Sequence, residues 1–429
     1  MTDLMPMMPR YEAYKYSGVG WIEEIPGHWD IKRLKFLASI NNGLDYKAVQ
    51  ADKGYPVMGS GGQFGYANDY LHDGEAILLG RKGTINKPLY INQKFWAVDT
   101  IFYAICKQVV STKFLYYSTM TIPFSYYSTS TALPSMTQSD LYQHYFSVPP
   151  CLEQTAIANF LDCKTEKINK AVVIKEKQIQ LLKERRQILI QTAVTKGLDP
   201  DVPMCDSGVE WIGEIPKHWG MKRLRLIGLT QNGISAGAEY FGSGYPFVSY
   251  GDVYNNRELP RSVKGLAESS IQDRMHYSVM KGDVLFTRTS ETVEDIGFTS
   301  VCMKTIKNAT FAGFLIRFRP TSGLLEPRFS KYYFSSYMHR AYFVREMNLV
   351  TRASLSQGLL KNLPVLLPPK DEQIAIYNYI QTQSAKIDKA IAIQEQMIDK
   401  LKEYKATLIN SSVTGKIKVP QVGEKRAVA

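Results

Sequence analysis

The chain has 429 residues, 45% hydrophobic and 21% charged, a composition that excludes disorder and is long enough for two domains of about 150–200 residues. Its 52 Lys and Arg against 40 Asp and Glu leave a net charge of +12, which makes a polyanion, nucleic acid foremost, the natural partner. Five scattered cysteines (Cys106, Cys151, Cys163, Cys205, Cys302) with no CxxC pair argue against a disulfide framework or zinc site and for buried reduced thiols. No apolar run of 18 residues reads as a membrane span, and the opening MTDLMPMMPR lacks the apolar stretch of a signal peptide, so a cytoplasmic protein is expected.

Along the chain, residues 17–34 (SGVGWIEEIPGHWDIKRL) stand out because they return at 207–224 as SGVEWIGEIPKHWGMKRL, with Trp21 and Trp29 matched by Trp211 and Trp219 at an offset of 190. The tryptophans carry enough apolar area to dock the element against the next domain. His28 and His218 read as packed or hydrogen-bonded rather than metal-bound. Residues 35–134 then read as short strands and turns, with few helical signals before Lys113. The Gly-dense GSGGQFGYAND (59–69) offers Ser60, Gly61, Gly62 and Gln63, and lacks the GxGxxG spacing of a dinucleotide site. LLGRKGTINK (78–87) puts Arg81, Lys82, Thr84, Asn86 and Lys87 on a turn after the apolar run Ala76–Leu79. Such side chains can pair with base edges in the major groove, while lysines more often meet phosphate; a plain solvated loop is the alternative. KFLYYSTM (113–120) reads as an amphipathic helix whose aromatics belong to a core.

A second repeated block begins at SMTQ and covers residues 135–198; it returns from SLSQ over 354–417, an offset of 219. After Pro149-Pro150 a helix is expected from near Leu152, with Glu153 in its first turn, to Gly197. Its apolar positions Ile168, Val172, Ile179, Leu182, Leu189 and Ala193 alternate by four and three, a heptad seam.

The second insert, residues 225–353, is 29 residues longer than the first and shares only general character with it. PFVSYGDVYNN (246–256) resembles the first Gly-rich stretch in place and supplies Ser249, Tyr250 and Asp252. GDVLFTRTSE (282–291) again leads an apolar run into Arg288, Thr289 and Ser290, and RFSKYYFSSYMHR (328–340) reads as an amphipathic helix. A helix from Asp371 to Gly415 carries the matching seam Ile387, Ile391, Ile398, Leu401 and Leu408.

The polar interruptions match as well, Lys175 with Gln394 and Arg186 with Lys405. Matching seams point to the two helices pairing with each other, antiparallel, about an internal pseudo-twofold, although packing of each helix on its own domain is the alternative. The seam from Ile168 to Ala193 spans about 38 Å at about 1.5 Å per residue, close to one turn of B-DNA at about 34–36 Å. The tail KVPQVGEKRAVA reads as a loose terminus.

The expected fold is therefore α+β or α/β: two globular β-rich target-reading domains at 1–150 and 198–369, long helices at 151–197 and 370–416, and a tail at 417–429. Constant frames around unlike inserts fit one scaffold presenting two specificities; a duplicated fold with drifted inserts is the plainer reading. No P-loop, GxSxG or Asp/Asn-Pro-Pro-aromatic element occurs, and Pro200-Asp201 has no Asp/Glu-x-Lys until Glu403-Tyr404-Lys405, inside a helix. The expectation is thus no catalytic residue, no metal and no cofactor of its own. A self-sufficient nuclease with an unrecognised site, or a coiled-coil scaffold, are the rival readings.

The paired WIxEIPxHW elements, the PPxxEQxxI helix starts (Pro149 to Asp162; Pro368 with Glu372, Gln373 and Ile376) and the unlike inserts together resemble the specificity subunit of a type I restriction-modification system. The second copy departs in carrying Gln381 where the first has Asp162. The resemblance implies that each insert reads one half of a bipartite, asymmetric duplex DNA site. It implies that the helices set the spacer and dock two modification subunits, which bring S-adenosylmethionine and methylate adenine. Separate restriction subunits would bring ATP- and Mg²⁺-dependent translocation and cleavage.

Overall fold

A computed structural model describes residues 8–127, 134–290, 296–346 and 353–420. The end of the tail, and the Glu291 position that closes the second arginine-bearing stretch, lie outside these residues. The chain divides into two compact units, residues 1–177 with 394–429 and residues 178–393.

In the first unit the main sheet is antiparallel, with strand order Ala38–Asn42, Ile101–Cys106, Glu75–Gly80, Leu89–Asn92. Glu75–Gly80 can occupy a central position because AILLG is buried on both faces. A smaller sheet pairs Tyr55–Gly59 with Gly62–Ala67 through a Ser60–Gly61 turn, and pairs Tyr55–Gly59 in parallel with Trp96–Ala97. The second unit uses the same plan. Its main antiparallel sheet runs Gly228–Asn232, Leu315–Pro320, Val284–Thr287, Thr299–Val301, and Phe241–Val248 pairs in parallel with Thr310–Phe311. Inserts that share little sequence therefore share a strand order. The mainly antiparallel pairing places the fold on the α+β side of the expectation.

The repeated frames form a ribbon in each unit, Asp30–Arg33 with Tyr145–Val148 and Gly220–Arg223 with Pro364–Leu367. Each ribbon leads into a long helix, Cys151–Lys196 and Lys370–Val413. Gly197 (φ 77°) and Gly415 (φ 74°) follow the helix ends in the left-handed conformation that glycine accepts most readily. All eleven seam residues are buried or half-buried, Ala193 among the buried ones. Ile168, Ile387, Ile391, Ile398 and Leu408 are buried; Val172, Ile179, Leu182, Leu189 and Leu401 are half-buried. In the first unit Ile168 packs in one core with Leu401 and Leu408, and Lys405 Nζ donates to Asn169 Oδ1 at 2.9 Å. In the second unit Leu189 packs in one core with Ile376 and Ile380, and Arg186 pairs with Asp388 at 2.5 Å.

Three expectations change. The helix read over 328–340 is two helices, Pro327–Tyr333 and Tyr337–Glu346, because Ser335 Oγ bonds back to the Lys331 and Tyr332 carbonyls and Ser336 Oγ meets His339 Nδ1. PFVSYGDVYNN is in the place of the first Gly-rich stretch, after the strand paired in parallel, but enters a short helix, Tyr250–Tyr254, instead of a hairpin. Of the five thiols, all free, only Cys302 is buried; Cys151 and Cys163 sit on the exposed side of the first long helix.

Two histidines carry a pH dependence. Burial pushes His339 down to about 3 and His144 down to about 4. Both are neutral when folded, whereas in the unfolded chain a histidine takes up a proton near pH 6.5. Stability is therefore complete above pH 6.5 and falls as pH drops, by up to about 1.4 kcal/mol per pH unit per histidine, until the folded values near 3 and 4 are reached. Thermal melts from pH 7 to 4 should fall steadily, and His339→Phe should flatten the slope of the second unit. A flat wild-type profile would show that neither ring is held neutral.

Candidate nucleic-acid interface

The helix starts organise each unit. Glu153 accepts from His28 Nε2 at 2.6 Å, Trp29 Nε1 at 2.9 Å and the Tyr11 hydroxyl at 3.2 Å. Glu372 does the same work in the other copy, accepting from His218 Nε2 at 2.8 Å and Trp219 Nε1 at 3.0 Å. The repeated tryptophans Trp29 and Trp219 thus dock on the first turn of the long helix that follows in their own unit, not on the next domain. The neighbouring glutamines are fully buried. Gln154 bonds the Ser111 amide and the carbonyls of Val109 and Pro149; Gln373 bonds the Glu326 amide and the carbonyls of Leu324 and Pro368. These four residues tie frame, insert and helix into one body.

On that scaffold the arginine-bearing turns occupy matching places. The Arg81 amide donates to Thr100 O, and the Arg81 carbonyl accepts from the Met136 amide at 2.9 Å. Lys82 bridges Ser135, and the Gly83 amide donates to Pro134 O. In the second unit the Arg288 carbonyl accepts from the Leu355 amide at 2.7 Å, and Thr289–Ser290 pairs with Ala353–Ser354. Each turn is therefore pinned to the same repeated Ser-x-x-Gln element. The glutamine of that element reaches the first strand of the main sheet: Gln138 donates to Asn42 Oδ1 at 3.3 Å, and Gln357 accepts from the Thr230 hydroxyl at 3.0 Å.

In the first unit Arg81 and Lys82 line an open groove with Asn42, Phe102, Thr137 and Gln138. Arg81 is half-buried over the Phe102 ring and Lys82 is exposed. A Cβ on Gly83 would lie 3.4 Å from Ser60 Oγ, so the hairpin tip adjoins this turn. Gly61 and Gln63 are exposed and Gly62 half-exposed on the same hairpin. Thr84, Asn86 and Lys87 are exposed further along the turn, outside the residues that line the groove.

In the second unit Arg288 and Thr289 are half-buried; the side chain of Ser290 lies outside the described residues. Ser249 and Asp252 are engaged with each other in a capping box, Asp252 Oδ2 accepting from the Ser249 amide and hydroxyl at 2.9 and 2.7 Å. The Ser249 hydroxyl and Asp252 Oδ2 are thus committed to starting a helix. That helix packs on the strands Val284–Thr287 and Thr299–Val301, and Tyr250 stacks on Tyr254 at 5.8 Å. Among the described residues neither Arg81 nor Arg288 forms an ion pair, which leaves both guanidinium groups able to meet a base edge or phosphate.

Sequence reasoning missed Asn42, Thr137 and Gln138. The repetition of Ser-x-x-Gln was the signal that could have drawn attention to them. It also missed Asp283 and Arg319, which hold the strand leading to Arg288: Arg319 Nε and Nη2 each donate to the buried Asp283 carboxylate at 2.7 Å. Among the described residues no cluster of His, Cys, Asp or Glu could hold a metal ion, and no helix is long and apolar enough to cross a membrane.

Comparison with known proteins also finds the repeat. The family model for the type I restriction modification DNA specificity domain matches residues 26–180 and again residues 216–403. The chain is 27% identical over 260 residues to the type I restriction enzyme EcoKI specificity subunit of Escherichia coli, an alignment covering 57% of this chain and 53% of that one. It thus spans about half the length of this curated relative. In fold it is similar to a chain from a structural study of complex assembly in the type I R-M system, with TM-score 0.67, 15% identity and coverage of 91% and 98%. It is also similar to the HsdS subunit from Thermoanaerobacter tengcongensis, with TM-score 0.53, 14% identity and coverage of 92% and 98%. Two matches to one family model, on two units of one strand order, lead to a single conclusion: the chain belongs to the type I restriction-modification DNA specificity family.

Proposed function

We propose that this chain is the DNA-reading subunit of a type I restriction-modification complex, with each unit reading one half of a bipartite, asymmetric duplex site. The observation that carries the reading is the matched placement of Arg81 and Arg288: two unlike inserts each set an arginine, ion-paired with nothing among the described residues, at the same point of a repeated scaffold. Arg81, Lys82 and the Ser60–Gln63 hairpin serve one half, and Arg288, Thr289 and Ser290 the other, with Lys87, Asn86 and Thr84 at the margin. Tyr250, rather than the capped Ser249 and Asp252, is the contributor from its helix.

In this reading residues 1–150 and 198–369 are the reading domains and the two long helices are an antiparallel coiled-coil spacer. Support comes from the contacts Asn169–Lys405 and Arg186–Asp388, which exchange into one another under the 219-residue repeat. The helices also carry exposed apolar residues, including Ile174, Leu181, Ile188 and Ile393, suited to docking two modification subunits. Those partners would supply S-adenosylmethionine and adenine methylation, and restriction subunits ATP- and Mg²⁺-driven cleavage, in the cytoplasm, with this chain contributing no catalytic group.

In the assembled complex, Arg81→Ala should weaken binding by about 10–100-fold and relax discrimination in one half-site, and Arg288→Ala in the other. Methylome sequencing of cells carrying each variant reads this directly. Relaxation of the same half by both variants, or of neither, defeats the assignment. Deleting one heptad from both helices should shorten the spacer between methylated half-sites; an unchanged spacer would count against the helices as the measure.

A further inference from the structure

Apart from the arginine-bearing turns, the second unit holds a cavity of 390 Å³ that the DNA reading leaves unused. Its wall combines three features. Tyr254, Phe298 and Tyr337 present aromatic rings, with Tyr254 and Phe298 at 4.9 Å and Tyr337 76% exposed at the mouth. Arg257 and Arg340 bring two guanidinium groups that, among the described residues, pair with no carboxylate; Arg340 lies 4.6 Å over the Phe298 ring. The third is Thr299, a wall residue only 5% exposed, whose buried hydroxyl has no hydrogen-bond partner among the described residues. A buried hydroxyl without a partner costs stability, and two arginines on the wall of one cavity favour an anion inside it. The cavity also opens at the first turn of the helix Tyr337–Glu346, whose amide dipoles favour negative charge.

We propose that this cavity binds a nucleotide, its planar base against Tyr254, Phe298 and Tyr337 and its phosphate between Arg257 and Arg340. Flat rings alone would fit many apolar ligands, and arginines alone any anion. The two together at this volume, within the range of small-molecule sites, select a base that carries phosphate. The nucleotide can be free, or an unpaired residue of a nucleic acid. The free-nucleotide arm does not depend on sequence reading.

Isothermal titration of the full chain separates the two sources, with AMP and ATP in one arm. The other arm compares a duplex bearing a single bulged adenosine with the same duplex fully paired. The expected result is saturable binding in one arm. Arg340→Ala should weaken it by about tenfold or more. Tyr337→Ala, at a position 76% exposed, should weaken it by about fivefold or more with an unchanged melting temperature. Binding to AMP or ATP assigns a free ligand; preference for the bulged duplex alone assigns an extrahelical nucleotide. The proposal is overturned if neither arm saturates at millimolar ligand, or if Tyr337→Ala and Arg340→Ala bind as wild type. In either case methylation of intact target sites, which reports on Arg81 and Arg288, stays unaffected.

Discussion

Arg319→Met is expected to destabilise the second unit by about 3–5 kcal/mol, because it removes the guanidinium that bonds both oxygens of the buried Asp283 carboxylate. That carboxylate is 1% exposed and is held by Arg319 through both oxygens at 2.7 Å and by the Met280 amide. Arg319 also donates to the Ser278 carbonyl at 2.9 Å, so one side chain ties the start of the strand Val284–Thr287 to the neighbouring strand of the sheet. The strand ends beside Arg288, so the loss should reach the proposed reading surface. Removing the charge as well, in Asp283→Leu with Arg319→Met, should recover most of the stability, since replacing a buried pair by apolar groups is often neutral. Urea denaturation of the whole chain, followed by probes in each unit, distinguishes these results. A loss below about 1 kcal/mol in the single variant would mean that water reaches Asp283.

Gln373→Leu should cost about 3–5 kcal/mol in the same unit, with Gln154→Leu its counterpart in the first. Each glutamine satisfies three backbone groups in the interior. For Gln373 these are the Glu326 amide and the carbonyls of Leu324 and Pro368, all at 2.8–2.9 Å. Leucine fills similar space but offers no polar atom, so those groups stay desolvated without partners. The tie also joins the insert to the helix start, so the local consequence should be faster hydrogen exchange at the Glu326 amide in one variant and at the Ser111 amide in the other. Protection that persists at both amides would show that the loops find other partners and would remove the tie from the account.

The stretches that sequence pattern located best were those with local causes. Two uninterrupted runs after Pro-Pro, each closed by a glycine, became helices at Cys151–Lys196 and Lys370–Val413. The arginine turns were also visible, because an apolar run ending in Arg81 or Arg288 is a short-range signal. By contrast, the expected equivalence of Ser249 with the Gly-rich tip gave way to a capping box, since a Ser three residues before an Asp stabilises a helix start as readily as it lines a loop.

What the sequence by itself determined is the repeat, the extent of both helices and the two inserts, since these follow from periodicity and from the conformational limits of Pro and Gly. Tertiary structure alone decided that unlike inserts share one strand order, that Glu153 and Glu372 clamp His-Trp pairs, and that Asp283 needs Arg319. Those outcomes join residues 36 to 154 positions apart. Such pairing depends on which groups lose water together, and no local pattern encodes that.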